Sequence, residues 1–250
     1  MPIVRRSEQV LADRYPGIKR YAMTGASTGS KMLHVGDLTY APGAVVPYHL
    51  HPHVEETQYM IEGELECWSD GLRFTVRAGD CVLTPPGVKH GFVNRTDRPA
   101  RQITMFPMIN PVTNDLMGQG SEPQLKDGVP EKNVHFRAKA KVYEFRPGIT
   151  RYDLAGDFSG ARSTYFSELV FDPGAVAPNH FHPAHEESMF CLRGSLNAVY
   201  ARENDIPLKA GDIFMCEMGV RHGIFNGSKE KATLLAMHPV LNPPPRVDVP

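Results

Sequence analysis

The chain of 250 residues lacks most of the features that would assign it to a functional class at once. No apolar run approaches the roughly 20 residues of a membrane-spanning helix. The first ten residues, Met1 to Val10, also lack the apolar stretch of a secretory signal. Neither sign of charge dominates: 27 basic and 28 acidic residues leave a formal net charge of −1. Nucleic-acid and membrane-surface partners need clustered positive charge, so neither is expected. Cys67, Cys81, Cys191 and Cys216 form no CxxC pair and no spaced framework, and a chain of this length folds without disulfides. They are expected as reduced thiols in a cytoplasmic protein. Helical periodicity is weak, with Ser7–Tyr15 the one candidate for a short helix. The absence of a P-loop, a GxGxxG motif and a Ser/His/Asp signature leaves metal chemistry as the mechanism to look for.

What the sequence does contain is a repeat. At a shift of 131 positions, residues 16–63 lie over 147–194 without a gap and give 19 identities in 48 positions. Pro16, Gly17, Ile18, Arg20 and Tyr21 meet Pro147, Gly148, Ile149, Arg151 and Tyr152. Pro42–Val45 meet Pro173–Val176, and His49, His51, Pro52, Glu55, Glu56 and Gly63 meet His180, His182, Pro183, Glu186, Glu187 and Gly194. After one inserted residue the match resumes at a shift of 132, where Gly79, Gly87, His90 and Asn94 meet Gly211, Gly219, His222 and Asn226. The expected units are 1–111 and 147–250, each of normal small-domain size. A polar connector, 112–146, joins them and carries a strand signal at Val142–Phe145.

Within each unit, apolar and β-branched runs are broken by Gly, Pro, Asn and Asp, which predicts short strands and an all-β sandwich or barrel. Leu33–Tyr40, Thr57–Ile61, Cys81–Thr84 and Ile103–Phe106 are such runs, as are Tyr165–Phe171, Ser188–Leu192, Ile213–Cys216 and Thr233–Met237. On an extended segment, residues two apart share a face. His49 and His51 therefore point into one cavity, Glu56 opens the next strand toward it, and His90 arrives from a later strand after the Pro85-Pro86-Gly87 turn. His180, His182, Glu187 and His222 repeat the set. Three imidazoles and a carboxylate suit Fe, Mn, Ni, Co or Zn and leave coordination positions open. Alternation favours Glu56 and Glu187 over their neighbours Glu55 and Glu186. His53 and His185 fall in turns and are expected to be exposed.

These residues spell GxxxxxHxHxxxxExxxxxxG followed by GxxxxxPxGxxHxxxN, and the chain resembles the cupins. The first copy supplies Gly43, His49, His51, Glu56, Gly63, Gly79, Pro85, Gly87, His90 and Asn94. The second supplies Gly174, His180, His182, Glu187, Gly194, Gly211, Gly219, His222 and Asn226, with Glu217 where the family usually has proline. The resemblance implies a bicupin: two tandem double-stranded β-helix (jelly-roll) barrels, one divalent transition-metal ion in each, iron or manganese favoured. It also implies a homodimer or larger homo-oligomer.

Strand parity then selects pocket candidates: Gln58, Met60 and Phe92 in the first unit, and Met189, Cys191 and Ile224 in the second. Asn94 and Asn226 are expected to hold backbone instead. A carboxylate-bearing small-molecule substrate would need a cation. Arg20 with Arg151 and Lys31 with Arg162 recur in both halves, but surface or inter-barrel salt bridges are the expected role of both pairs. Open metal positions suit a dioxygenase acting on a small oxygenated substrate. The alternatives are a redox-neutral isomerase, decarboxylase or hydrolase, and a non-enzymatic metal- or small-ligand-binding protein. Bicupin isomerases match this length more closely than the longer oxalate decarboxylases do.

Overall fold

The computed structural model describes residues 2–118 and 121–249 and is built almost wholly of strands. The predicted strands form with ends shifted by three residues at most: His34–Tyr40, Glu56–Glu62, Cys81–Thr84 and Ala100–Phe106 in the first half, and Tyr165–Phe171, Glu187–Arg193, Ile213–Cys216 and Ala232–His238 in the second, while His90–Val93 and His222–Phe225 are the strands that carry the last histidine of each set. The Ser7–Tyr15 helix does not form. Arg6–Glu8 make a single 3-10 turn, and Leu11–Tyr15 are a strand. The reason is local. Gly17 turns with φ +75°, a conformation that suits glycine, and folds Leu11–Tyr15 back onto Ile18–Thr24, which supplies its backbone partners.

Each half closes two sheets into a jelly roll. In the first half, a six-stranded sheet carrying Val45–Leu50 and His90–Val93 faces a seven-stranded sheet carrying Glu56–Glu62 and Ala100–Phe106. The second half repeats this with five and seven strands. Leu38, Tyr40, Met60, Leu65, Cys67 and Val76 fill the first barrel, and Leu169, Phe171, Cys191, Leu196, Leu208 and Leu234 the second. A third core lies between the barrels, where Met23, Val35, Tyr59, Ile103 and Met105 pack on Leu154, Phe166, Phe190, Leu235 and Met237.

The halves also exchange strands. Ile3–Val4 pair with Phe214 and Ile213 of the second barrel, and Val134–His135 pair with Val82 and Cys81 of the first. Val134–Arg146, assigned from sequence to the connector, therefore carries the elements of residues 3–15 in the same order: exchanged strand, 3-10 turn, then hairpin strand. Asn114–Asp115 pair with Leu50 and His49, which ties the start of the connector to the first barrel.

Glu55 and Glu186, which alternation sets aside as ligands, hold the two barrels together. Both are buried. Glu55 accepts the backbone N–H groups of Arg162 and Ser163 and the Thr164 hydroxyl, all at 2.8 Å. Glu186 accepts the N–H groups of Lys31, Met32 and Leu33 at 3.1, 2.7 and 2.6 Å, with the Ser30 hydroxyl beside them. The recurrence of Lys31 and Arg162 is thus a backbone matter, since both side chains are exposed. Stranded buried donors cost about 1–3 kcal/mol each. Glu55→Ala or Glu186→Ala is therefore expected to lower stability by about 3 kcal/mol or more in thermal or urea unfolding, with metal content unchanged in the folded protein.

Candidate metal centres

Strand register assembles the first set. His90 lies opposite His49 across the six-stranded sheet, while Glu56 comes from the facing sheet, where it pairs with Thr84. One donor atom from each of His49, His51, Glu56 and His90 lies within 4.8 Å of every other, and all four residues are buried. Glu56 Oε2 stands 2.9 Å from His90 Nε2 and 3.3 Å from His51 Nε2. Ligands around 2.0–2.1 Å from a common ion lie about 3 Å apart, so the spacing fits one.

The hydrogen bonds give a chemical test of that fit. His49 Nδ1 donates to the Pro47 carbonyl at 2.7 Å, His51 Nδ1 to Val112 at 2.7 Å and His90 Nδ1 to Val88 at 3.1 Å. A neutral imidazole carries one N–H, so with Nδ1 holding it each Nε2 is free to turn a lone pair to an ion. His51 Nε2 is buried with no hydrogen-bond partner. Three imidazole nitrogens and a carboxylate gathered in a buried site suit a shared divalent cation. Burial, reinforced by His90, lowers His49 to about 3 and keeps that ring neutral. Burial opposes ionisation of Glu56, but its contacts with His51 and His90 outweigh this and hold the carboxyl well below its usual range. His49 and Glu56 therefore stand in the protonation states that a divalent ion needs, whereas Glu56 lifts His51 above its ordinary value, so that ring gives up a proton to bind. Gln58 supports the set: its Nε2 donates to Glu56 Oε2 at 2.8 Å and fixes the carboxylate.

The second set is built alike. His180 lies opposite His222, and Glu187 faces them from the other sheet. Glu187 Oε2 is 3.1 Å from His182 Nε2, 3.2 Å from His222 Nε2 and 3.9 Å from His180 Nε2. His180 and His222 donate their Nδ1 protons to the Pro178 and Val220 carbonyls, both at 2.9 Å. Burial lowers His180 to about 4. Glu217, in the family's proline position, leaves the turn intact. Gly219 keeps φ +76° against +79° at Gly87, and its N–H reaches the His182 carbonyl as that of Gly87 reaches His51, both at 2.8 Å.

The sequence profile of the cupin domain matches twice, over residues 36–106 and 167–238, one match for each barrel. The chain belongs to the cupin family.

Among its relatives, this bicupin is 33% identical over 95 residues to the Streptomyces cyaneus polyketide synthase CurC and 36% identical over 92 residues to gentisate 1,2-dioxygenase 1 of Aquipseudomonas alcaligenes. The matches take in 38% and 36% of this chain, and 62% and 25% of those proteins. Among solved structures, oxalate decarboxylase from Lactobacillus farciminis (formate complex) superposes on the whole chain and on 88% of its own length, with a TM-score of 0.84 at 15% identity. Bacillus subtilis oxalate decarboxylase gives 0.82 at 18% identity, over the whole of this chain and 78% of its own. At such identities the likeness is one of fold.

Around the first set lies a cavity of about 570 Å³. Phe92 lines it as strand parity predicts, whereas Met60 sits in the barrel core. The cavity also takes in Arg20, His34, Tyr40, Gln102 and Thr104. Arg20 thus corrects the surface or salt-bridge reading: its Nη2 donates to Nε2 of His34, and burial, with the neighbouring guanidinium, lowers that ring to about 4. Gly36 makes room for it, since a Cβ there would stand 2.6 Å from Arg20 Nε. The only sequence signal was that Arg20 recurs as Arg151.

Arg151 lines the second cavity, of about 390 Å³, with Arg246, Tyr165 and His238. Met189 and Ile224 line it as predicted. Cys191 does not: it is packed in the core, and burial with Asp212 nearby pushes its thiol up to about 12. Where the first cavity has Tyr40, Gln102 and Thr104, the second has Phe171, Leu234 and Ala236. The two centres therefore sit in unlike pockets. His53 is exposed as expected, but His185 is fully buried. Asn94 and Asn226 hold backbone carbonyls of Tyr40 with Arg98 and of Phe171 with Glu230. All four cysteines are free and buried, and among the described residues no helix is long and apolar enough to cross a membrane.

Proposed function

We propose that this bicupin is a metal-dependent enzyme that cleaves a C–C bond in a small carboxylate-bearing substrate with dioxygen as co-substrate. His49, His51, Glu56 and His90 are the ligands of the first centre, and His180, His182, Glu187 and His222 those of the second. The observation that carries the reading is Arg20 in the wall of the cavity that also contains the first ligand set. A guanidinium binds a carboxylate through two parallel hydrogen bonds, and His34, held neutral, accepts from Arg20 and fixes its plane. The cavity, at about 570 Å³, lies within the usual range of small-molecule sites, about 300–1,000 Å³, and admits more than a two-carbon acid. The relative named a gentisate 1,2-dioxygenase supports the oxygen-dependent form.

The ion, when bound, supplies Lewis-acid polarisation and one-electron chemistry, with iron or manganese suited to the mixed imidazole and carboxylate donors. The chain's own residues do the rest. Arg20 anchors the carboxylate, Gln58 keeps Glu56 oriented, and Phe92 and Phe106 exclude water from one wall.

The direct test is an oxygen electrode with hydroxylated aromatic acids and keto acids on protein reconstituted with Fe(II) or Mn(II). Oxygen uptake equal to substrate loss is expected. Turnover with no oxygen uptake would instead place the enzyme with the redox-neutral decarboxylases or isomerases. Arg20→Ala is expected to raise KM by about 10- to 100-fold, the equivalent of one charge-assisted contact of about 1.5–3 kcal/mol. Arg20→Lys should recover part of that, and an uncharged amide analogue of the substrate should be indifferent to both.

A further inference from the structure

The second barrel holds two buried histidines that the first lacks. His185 is fully buried in the loop before Glu187, and His238 ends the strand Ala232–His238 and is 7% exposed. Their counterparts in the first barrel, at shifts of 131 and 132, are Val54 and Phe106, both buried and apolar. The exchange therefore puts two imidazoles into a place where the sibling site has only hydrocarbon.

These rings gather on His182. The ring centroids of His182 and His185 are 4.5 Å apart and those of His182 and His238 5.2 Å, while His185 Nε2 and His238 Nδ1 are 3.2 Å apart. One nitrogen from each of the three lies within 4.8 Å of the others. The 3.2 Å pair matches the separation of two nitrogens that share an ion at about 2.0–2.1 Å.

His182 carries the second, independent sign. Five of the six imidazoles in the two His3Glu sets donate Nδ1–H to a backbone carbonyl: His49, His51, His90, His180 and His222. His182 does not. Its Nδ1 is buried without a hydrogen-bond partner, as is that of His185. In the matching ring of the first barrel, His51, the Val112 carbonyl takes this proton. Buried polar atoms are rarely left unpaired. With its Nε2 committed to the Glu187 side, His182 has one nitrogen left over, and two further imidazoles are packed around the ring.

We propose that His182, His185 and His238 form a third divalent-metal site beside the second His3Glu centre, with the His182 ring shared between them through Nε2 and Nδ1 as an imidazolate, its one N–H proton passing to solvent when the third ion binds. Three imidazoles suit zinc, copper, cobalt or nickel. The first barrel has no counterpart, so the third ion belongs to the second barrel alone. The inference rests on the reading of the His3Glu sets as metal centres.

The test separates the two. Metal-free protein is loaded with Co(II) or Zn(II), desalted, and its metal counted per chain, alongside a His185→Val/His238→Phe variant that installs the residues of the first barrel. Wild type is expected to hold three equivalents and the variant two. The drop of one equivalent tests the third site, and the two that remain test the His3Glu centres. Equal counts in both proteins overturn the third site even where the His3Glu centres stand. Fewer than two in the variant, with the drop of one still present, overturns the reading of the centres instead. Should the double variant fail to fold, wild type alone decides, because a Co(II) titration with no third, weaker absorption step overturns the proposal.

Discussion

Replacing His51 with alanine is expected to empty the first barrel of metal and leave the second loaded, and His222→Ala is expected to do the reverse. The two His3Glu sets lie in separate barrels with their own hydrophobic cores. Removing one imidazole takes away a donor and leaves Glu56 or Glu187 facing fewer partners, so affinity at that site collapses while the fold persists. Elemental analysis of the purified variants reads this directly. Turnover then assigns the chemistry to a barrel. The variant lacking metal in the catalytic centre should lose activity by about a thousandfold, the equivalent of several kcal/mol of Lewis-acid stabilisation, and the other should keep most of it. Loss of both ions from a single substitution would show that the barrels are not independent.

Acid is expected to unfold the metal-free protein well above the pH at which its carboxylates alone would titrate. Burial holds His49 and His238 at about 3 and His34, His180 and His185 at about 4. In the unfolded chain each returns to about 6.5. Between these values the unfolded state binds more protons, so stability is full above about pH 6.5 and falls as the pH drops toward 4. Glu56 and Glu187, held below their ordinary range, add losses in the same direction at lower pH. His51 opposes the trend: burial pulls it down, but the Glu56 carboxylate lifts it above its ordinary value. One ring against five leaves the sign unchanged. Each unit of depression corresponds to about 1.4 kcal/mol, and in a chain of this size about 1 kcal/mol moves Tm by roughly 2–4 °C. Calorimetry in chelator should therefore show a Tm that is level from pH 8 to 7 and lower by more than about 10 °C at pH 4.5. A Tm independent of pH over that range would contradict neutral buried imidazoles.

The ligand sets were legible in the sequence because their signal is local. His49 and His51 two apart, Glu56 five residues on and His90 after a Pro-Gly turn are brought together by strand alternation and one register, and a repeat wrote the same pattern a second time. Alternation also separated Glu56 from Glu55 and Glu187 from Glu186. What it could not show was that the rejected glutamates tie the barrels together, since their partners lie more than 100 residues away. The exchange of Ile3–Val4 and Val134–His135 was hidden too. Over residues 3–15 and 134–146 only Arg6 and Arg137 are identical, although the two segments fold alike.

The sequence by itself determined the barrels, their duplication and the eight side chains that converge in them, because alternation and turn chemistry act over a few residues. Only the tertiary structure decided what surrounds those side chains. Arg20 and Arg151 read as members of surface or inter-barrel salt bridges until the hairpins folded them into the cavities. His185 read as an exposed turn residue until the loop closed over it, and His238 carried no signal until its strand placed it beside His182. The physical reason is that a pocket wall is assembled from strands distant in the chain, so its composition depends on which sheets meet and not on the pattern within any one of them.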